Sequence, residues 1–161
     1  MSYLLFCLRG LAVLCLPLTL SAQFSDLHPV SLGAGAKNTL AHADINGDGL
    51  TDLVVGAEYA VYWIPNAGGS TQFYAPRIIT EAEFGIAAVG DMDMDGDPDV
   101  VCVRDYNPNN DLFWYRNDGQ GNFDLAATWG DPVTNIRSLE LADMDGDGLT
   151  DVVVNNSEIS W

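Results

Sequence analysis

Basic residues are scarce in this chain of 161 residues, which has 6 lysines and arginines against 23 aspartates and glutamates. The formal net charge is -17, and the sequence has no long basic stretch. Nucleic acids and anionic membrane surfaces are bound largely through lysine and arginine, so both are poor partners for this chain, and we predict that it binds no nucleic acid. Hydrophobic residues make up 48% of the chain, which is enough for a packed core, so the acidity does not indicate a disordered tail.

The sequence also lacks a hydrophobic run long enough for a transmembrane helix. Residues 10–23 are uncharged, but this run is shorter than the roughly 20 apolar residues that a span requires. Arg9 precedes the run, and the small residues Ser21 and Ala22 end it, a pattern typical of a secretory signal peptide. We therefore predict a signal peptide at residues 1–22, a secreted, extracellular or cell-surface location, and no transmembrane segment in the mature chain.

Cysteine provides neither a disulfide nor an obvious nucleophile. The chain has 3 cysteines, and two of them, Cys7 and Cys15, lie in the predicted signal peptide. Cys102 alone cannot form an internal disulfide, and its apolar surroundings predict a buried side chain. The sequence shows no Ser-His-Asp order, no histidine cluster and no glycine-rich phosphate loop, so we predict that it is not an enzyme by itself.

What the sequence does contain is one unit in three copies. An acidic pattern, D-x-[DN]-x-D-G-x-x-D, occupies residues 44–52 (loop 1), 91–99 (loop 2) and 143–151 (loop 3). An apolar, β-branched run follows each loop, and in the first two copies an aromatic segment then ends in Asn and a glycine-rich turn. Four short strands in about 50 residues is the size of one propeller blade. The sequence therefore predicts an all-β fold of β-propeller blades, each a four-stranded antiparallel sheet.

The repeats set the expected organisation of the chain. After a lead-in at residues 23–35, the repeat region covers 36–161, divided at about 36–83, 84–134 and 135–161. Trp161 matches Trp63 and Trp114 of the earlier copies, so the third copy stops in its third strand. Because propellers close with 4 to 8 blades, we expect two complete blades, a truncated third and further repeats missing at the C-terminus. The three tryptophans are predicted to pack between blades.

The spacing of the acidic loops indicates a cation site. Alternate side-chain oxygens at positions 1, 3 and 5 can converge on one side of a tight loop, with a main-chain carbonyl at position 7 and the Asp at position 9 completing the shell. Oxygen donors without nitrogen or sulfur favour Ca²⁺, while Mg²⁺ demands a stricter geometry. Gly49, Gly96 and Gly148 at position 6 are predicted to supply the positive φ of a sharp turn.

Three other interpretations of the loops were weighed. An EF-hand requires Glu at position 12 and helices on both sides, and a dockerin-type loop requires a polar ligand at position 12 before a helix. Position 12 is instead Val55, Cys102 or Val154, within β-branched runs. Simple polar turns do not explain three copies in register that together hold 12 of the 23 acids, because clustered carboxylates repel one another without a cation.

The second copy, from Phe84 and Gly85 through its loop, resembles the FG-GAP repeat of integrin α-subunit propellers, and the whole unit is similar to the bacterial VCBS-type repeat. The resemblance covers residues 36–161. In that family the loop joins the innermost two strands of a blade and binds Ca²⁺, which implies up to three Ca²⁺ sites here. The side-chain ligands implied are Asp44, Asn46, Asp48, Asp52, Asp91, Asp93, Asp95, Asp99, Asp143, Asp145, Asp147 and Asp151. The main-chain ligands implied are Leu50, Asp97 and Leu149.

The resemblance implies a secreted calcium-binding propeller module that acts in ligand binding or in cell-surface or extracellular adhesion and is non-catalytic by itself. Its partner would be a protein or carbohydrate ligand. One alternative is a scaffold or appended module of a secreted polysaccharide lyase or hydrolase whose catalytic part is missing from this chain, and another is a structural spacer. Glycoside chemistry needs a carboxylate pair of its own, and every dense pair here lies in a predicted calcium loop, which favours the binding module.

Overall fold

The computed structural model describes residues 39–69, 72–81, 84–106, 109–130, 136–156 and 158–161, which form three antiparallel sheets. Sheet 1 contains β1 (Thr39–Ala43), β2 (Asp52–Gly56), β3 (Ala60–Ile64) and β4 (Arg77–Glu81). Sheet 2 contains β5 (Phe84–Gly90), β6 (Asp99–Tyr106), β7 (Asn109–Asn117) and β8 (Phe123–Gly130). Sheet 3 contains β9 (Ser138–Ala142), β10 (Asp151–Asn155) and β11 (Ile159–Ser160).

The predicted fold class is confirmed. The described residues contain no helix, and in every sheet the strands lie in chain order, each paired antiparallel with the next. Sheets 1 and 2 have the four strands of a β-propeller blade, whereas sheet 3 has three. All three residues at loop position 12 lie inside strands, so the EF-hand and dockerin interpretations are excluded on structural grounds as well.

Each acidic loop connects the first strand of its sheet to the second. Loop 1 joins β1 to β2, loop 2 joins β5 to β6, and loop 3 joins β9 to β10. The Asp at position 9 is the first residue of the second strand, so its backbone is held by the sheet while positions 1 to 8 form the turn. Phe73 forms only an isolated bridge with Asn66, and β4 starts at Arg77.

The core consists of two layers, one between each pair of neighbouring sheets. Val54, Val61 and Trp63 of sheet 1 pack against Val100 and Cys102 of sheet 2. The alternate residues of β6 point the other way. Val101 and Val103 pack against Leu139 and Val154 of sheet 3. Sheet 2 is therefore apolar on both faces, and it stabilises both neighbours.

The tryptophans divide into two classes. Trp63 is 2% exposed and lies in the layer between sheets 1 and 2. Trp114 packs at the layer between sheets 2 and 3, where its ring stacks on Trp129. Both confirm the predicted packing between blades. Trp161 is 63% exposed, so the prediction is wrong for this residue within the part of the chain that the structure describes.

The predicted signal peptide at 1–22 and the lead-in at 23–35 lie outside the described residues. The repeat boundaries remain predictions as well. The described residues include no helix of the length and apolar character needed to cross a membrane.

Candidate calcium loops

The acidic loops are folded by their own carboxylates. In loop 1, Asp44 at position 1 accepts hydrogen bonds from the main-chain N–H groups of Asp48 (3.1 Å) and Gly49 (2.8 Å). In loop 2, Asp91 accepts the equivalent bonds from Asp95 (3.2 Å) and Gly96 (3.0 Å). Such side-chain to main-chain bonds are typical of Asp in turns. They hold the position-1 carboxylate over the loop, where a cation ligand is required.

Loop 3 has a slightly different arrangement. Asp143 accepts hydrogen bonds from the N–H groups of Gly146 (2.7 Å) and Gly148 (2.9 Å), at positions 4 and 6 rather than 5 and 6. Asp143 and Asp151 at positions 1 and 9 are also more exposed than Asp91 and Asp99 of loop 2.

Two residues in every loop have a positive φ, the backbone conformation that favours glycine. The predicted positive φ at position 6 is confirmed, with values of 83° at Gly49, 95° at Gly96 and 89° at Gly148. Position 4 is also left-handed, and there loop 2 carries Met94 with a φ of 61°. The left-handed conformation at position 4 was not predicted, although the glycines at that position in loops 1 and 3 were a signal for it.

The position-5 carboxylates close the second half of each loop. Asp48, Asp95 and Asp147 each accept a hydrogen bond from the main-chain N–H two residues later, at 2.8, 2.9 and 2.8 Å. In loops 2 and 3 the carboxylates at positions 1, 3 and 9 come together, but Asp95 and Asp147 are not members of these groups. The structure therefore does not bring the predicted position-5 ligands of these two loops together with the others. The predicted main-chain ligands Leu50, Asp97 and Leu149 remain predictions.

The Asp at position 9 is the most buried acid of loops 1 and 2. Asp52 is 0% exposed and accepts three hydrogen bonds: from the N–H of Ile45 (3.3 Å), from Nε1 of Trp63 (2.9 Å) and from the N–H of Asn66 (2.7 Å). These donors fix the carboxylate where the loop enters the strand.

Asp99 repeats the arrangement in loop 2. It is 0% exposed and accepts hydrogen bonds from the N–H of Met92 (3.2 Å), from Nε1 of Trp114 (3.0 Å) and from the N–H of Asn117 (2.8 Å). The role of the tryptophans as donors was not predicted. The recurrence of Trp and Asn at fixed places after the loop was the available signal, but it was interpreted as packing and turn formation.

Three carboxylates meet in each of loops 2 and 3. Asp91, Asp93 and Asp99 offer oxygen atoms that all lie within 4.8 Å of one another, and Asp143, Asp145 and Asp151 do the same. These are the predicted ligands at positions 1, 3 and 9. Loop 1 has the amide of Asn46 at position 3, and this amide is turned toward Asp48, with Nδ2 donating to its carboxylate at 2.9 Å.

The electrostatics of loop 2 favour a counter-ion. Burial raises the pKa of Asp99, and this effect outweighs its hydrogen bonds from Asn117, Trp114 and Met92, which lower it. The pKa of Asp97 is also raised, by desolvation and then by the negative charges of neighbouring aspartates, of which Asp95 and Asp118 are the largest contributors. Both shifts mean that the anionic forms are disfavoured in the protein alone.

The donor set fits a hard divalent cation. All side-chain ligands are carboxylate or amide oxygens, and three of them already converge in loops 2 and 3. Ca²⁺ accepts 6 to 8 such oxygens in flexible geometry. Asp93 and Asp145 are exposed, so an ion could enter these loops from solvent.

Comparisons with known proteins agree with this geometry. The family model described as FG-GAP-like repeat matches residues 44–102 and 91–154. The human protein integrin alpha-7 is 33% identical over 147 residues, covering 78% of this chain. Mouse integrin alpha-7 is 33% identical over 105 residues, covering 56% of this chain, and integrin alpha-3 of Cricetulus griseus is 29% identical over 111 residues, covering 59%.

The chain spans only 12%, 9% and 11% of the length of these three relatives, respectively. The matched residues 44–154 include all three acidic loops and the strands between them. The chain therefore belongs to the FG-GAP-like repeat family and is an integrin-α-like repeat protein.

Proposed function

We propose that this chain is a secreted, calcium-binding β-propeller module of a protein that acts in ligand binding or adhesion, and that it is non-catalytic by itself. The observation that carries the proposal is the convergence of three carboxylates in each of two acidic loops, within repeats of the integrin-α type. The resemblance to integrins supports an extracellular location and a protein or carbohydrate ligand.

Calcium would supply positive charge at the points where the carboxylates converge. The residues of the loop itself position these carboxylates. In loop 2 the position-1 carboxylate organises the turn, the position-3 carboxylate faces solvent, and the position-9 carboxylate is held by an indole and two main-chain donors. A loop fixed in this way presents a rigid edge of the blade, and rigid edges are suited to display a binding surface.

The proposed calcium binding is tested by calorimetric titration of the full chain with CaCl₂. Asp93 is exposed, and its side chain belongs to the carboxylate group of loop 2, so Asp93→Ala should remove one bound ion without disturbing the fold. Asp124→Ala is the matched control, because Asp124 is an exposed aspartate on β8 outside all three loops. Absence of Ca²⁺ binding, or equal loss in both variants, would contradict the proposal.

The binding function is tested separately with coated surfaces. The full chain is applied to plates coated with extracellular-matrix proteins and to plates coated with pectin or cellulose, with CaCl₂ or with EGTA. Calcium-dependent retention on the protein-coated plates supports the adhesion module. Retention confined to the polysaccharides would contradict a protein ligand and identify a carbohydrate as the ligand. Neither the fold nor the comparisons support the alternative of a polysaccharide-degrading enzyme.

A further inference from the structure

A continuous chain of buried hydrogen bonds connects loop 1 to loop 2. The N–H of Asn117 donates to Oδ1 of Asp99 at 2.8 Å, and Nδ2 of the same asparagine donates to the carbonyl of Ile45 at 2.8 Å. The N–H of Ile45 in turn donates to Oδ2 of Asp52 at 3.3 Å. The position-9 carboxylates of two loops in different sheets are thus joined through Asn117 and the main-chain N–H and carbonyl of Ile45.

The four residues that form this series of hydrogen bonds are all shielded from solvent. Asp52, Asp99 and Ile45 are 0% exposed, and Asn117 is 1% exposed. Hydrogen bonds in such an environment have no water to replace a lost partner, so a displaced donor leaves a buried oxygen unsatisfied. A shift of either carboxylate therefore affects the others in the chain.

Asn66 is the counterpart of Asn117 in sheet 1, but it makes no equivalent of the hydrogen bond to Ile45 among those that the structure describes. Asn66 also donates its N–H to the position-9 carboxylate of its own loop, and its Nδ2 donates to the position-8 carbonyl of that loop, that of Thr51, at 3.0 Å. Asn117 makes the equivalent bond to the carbonyl of Pro98 at 3.1 Å. The bond to Ile45 is the additional contact, and it reaches across to another sheet.

We propose that loops 1 and 2 bind Ca²⁺ cooperatively and that Asn117 is the positioning residue that couples them. The inference rests on the calcium binding proposed above. An ion in loop 2 restrains Asp99 further, and through Asn117 and Ile45 it also restrains Asp52. The second ion then meets a loop that is more ordered than before, so its binding has a smaller ordering cost.

The test uses the full chain carrying Asp145→Ala, which disables loop 3 and leaves two sites. The affinity of loop 1 is measured by calorimetric titration with CaCl₂, with loop 2 intact and with loop 2 disabled by Asp93→Ala. Disabling loop 2 should lower the affinity of loop 1 by about fivefold or more, the lower end of common coupling factors. Disabling loop 1 by Asn46→Ala should lower the affinity of loop 2 by the same factor, because coupling between binding sites is reciprocal.

Asn117→Ala should reduce the coupling factor to about one while leaving two sites that bind Ca²⁺ independently. Asn66→Ala is the matched control, since it removes the same bonds within a blade but not a bond between sheets, and it should leave the coupling factor unchanged. The coupling factor separates this role from a structural one. A general loss of stability would weaken Ca²⁺ binding at both sites without changing the coupling factor.

Two independent sites in the chain with Asn117 intact would overturn the coupling while leaving the proposed calcium binding in place. Equal loss of coupling in Asn66→Ala and Asn117→Ala would overturn the assignment to Asn117. Absence of Ca²⁺ binding in every variant would overturn the proposed function and this inference together. If Asn117→Ala does not fold, the comparison of Asp93→Ala with Asn46→Ala still decides whether the loops are coupled, since both substitutions lie in solvent-accessible parts of the loops.

Discussion

Met94 occupies a backbone conformation that the other two loops assign to glycine. Its φ is 61°, while Gly47 and Gly146 at the same loop position have φ values of 69° and 81°. A side chain in the left-handed region costs about 1–2 kcal/mol because Cβ crowds the following carbonyl. Met94 is 59% exposed, so its side chain gains little from burial to offset this cost.

We expect Met94→Gly to stabilise the chain by about 0.5–1 kcal/mol, the left-handed penalty less the greater freedom of glycine in the unfolded state. The reciprocal change Gly146→Ala should destabilise it by a similar amount, since a Cβ there meets no atom within 4 Å and only the φ value matters. Urea unfolding measures both. A destabilising Met94→Gly would show that the methionine side chain makes contacts that outweigh the backbone strain.

Cys102 is a buried thiol in the core layer between sheets 1 and 2. It is 0% exposed, and burial raises the pKa of its thiol, with the charge of Arg104 a smaller effect in the opposite direction. The thiolate is the reactive form, so a raised pKa and burial both protect this side chain. The prediction of a small buried hydrophobe is confirmed.

In a chain carrying Cys7→Ser and Cys15→Ser, we expect Cys102 to react with a disulfide reagent at pH 8 at least about 100-fold more slowly in the native state than in denaturant. Ser138 is exposed on β9, and Ser138→Cys in the same background should label rapidly without denaturant. Equal rates for the two thiols would mean that the layer between sheets 1 and 2 opens freely.

At the scale of elements, the turn between β7 and β8 makes two specific contacts with sheet 1 and its loop. Asn117 begins this turn and reaches Ile45 of loop 1, while Gly121 lies against the ring of Trp63. A Cβ built on Gly121 would overlap Cζ3 and Cη2 of Trp63, and the φ of Gly121 is 80°. Only glycine satisfies both conditions.

Gly121→Ala should therefore destabilise the chain by about 3 kcal/mol, which combines overpacking with the left-handed penalty. Gly69→Ala is the matched control in the turn of sheet 1, because Gly69 has a φ of 88° but no atom lies within 4 Å of its Cβ position. We expect it to cost about 1 kcal/mol. Equal free energies of unfolding for the two variants in urea would contradict the contact with Trp63.

At the scale of the whole molecule, the three sheets share two core layers and a large negative charge. The net charge of -17 is concentrated in loops that lie at the same ends of the sheets, so repulsion opposes the compact state. Ions bound in the loops would relieve repulsion where it is greatest. Stability and calcium are expected to be linked for this reason.

We predict that EGTA lowers the melting temperature of the full chain by about 10 °C or more, since each site at 100 times its dissociation constant adds about 2.7 kcal/mol. The triple variant Asn46→Ala, Asp93→Ala and Asp145→Ala should melt at the same temperature with CaCl₂ and with EGTA. Sodium chloride at matched ionic strength controls for general screening. A chelator effect that persists in the triple variant would place the calcium outside these loops.

Several features were predictable from the sequence alone because they depend on local pattern. The repeat of apolar runs and acidic loops predicted the strands and their antiparallel order, and the glycines at position 6 predicted the positive φ values that the structure shows. Positions 1, 3, 5 and 9 were predicted to supply the side-chain ligands, and in loops 2 and 3 positions 1, 3 and 9 come together whereas position 5 lies outside the group.

Other features were decided only by how the sheets pack. The bond from Asn117 to Ile45 joins residues 72 positions apart, and the indole of Trp114 reaches Asp99 because β7 pairs with β6 in one particular register. Likewise, Trp63 is buried by a turn of the next sheet, whereas the equivalent Trp161 is exposed. A local pattern specifies which side chains alternate on a strand, but the identity of the opposing surface comes from contacts between distant segments, and these exist only once the sheets are stacked.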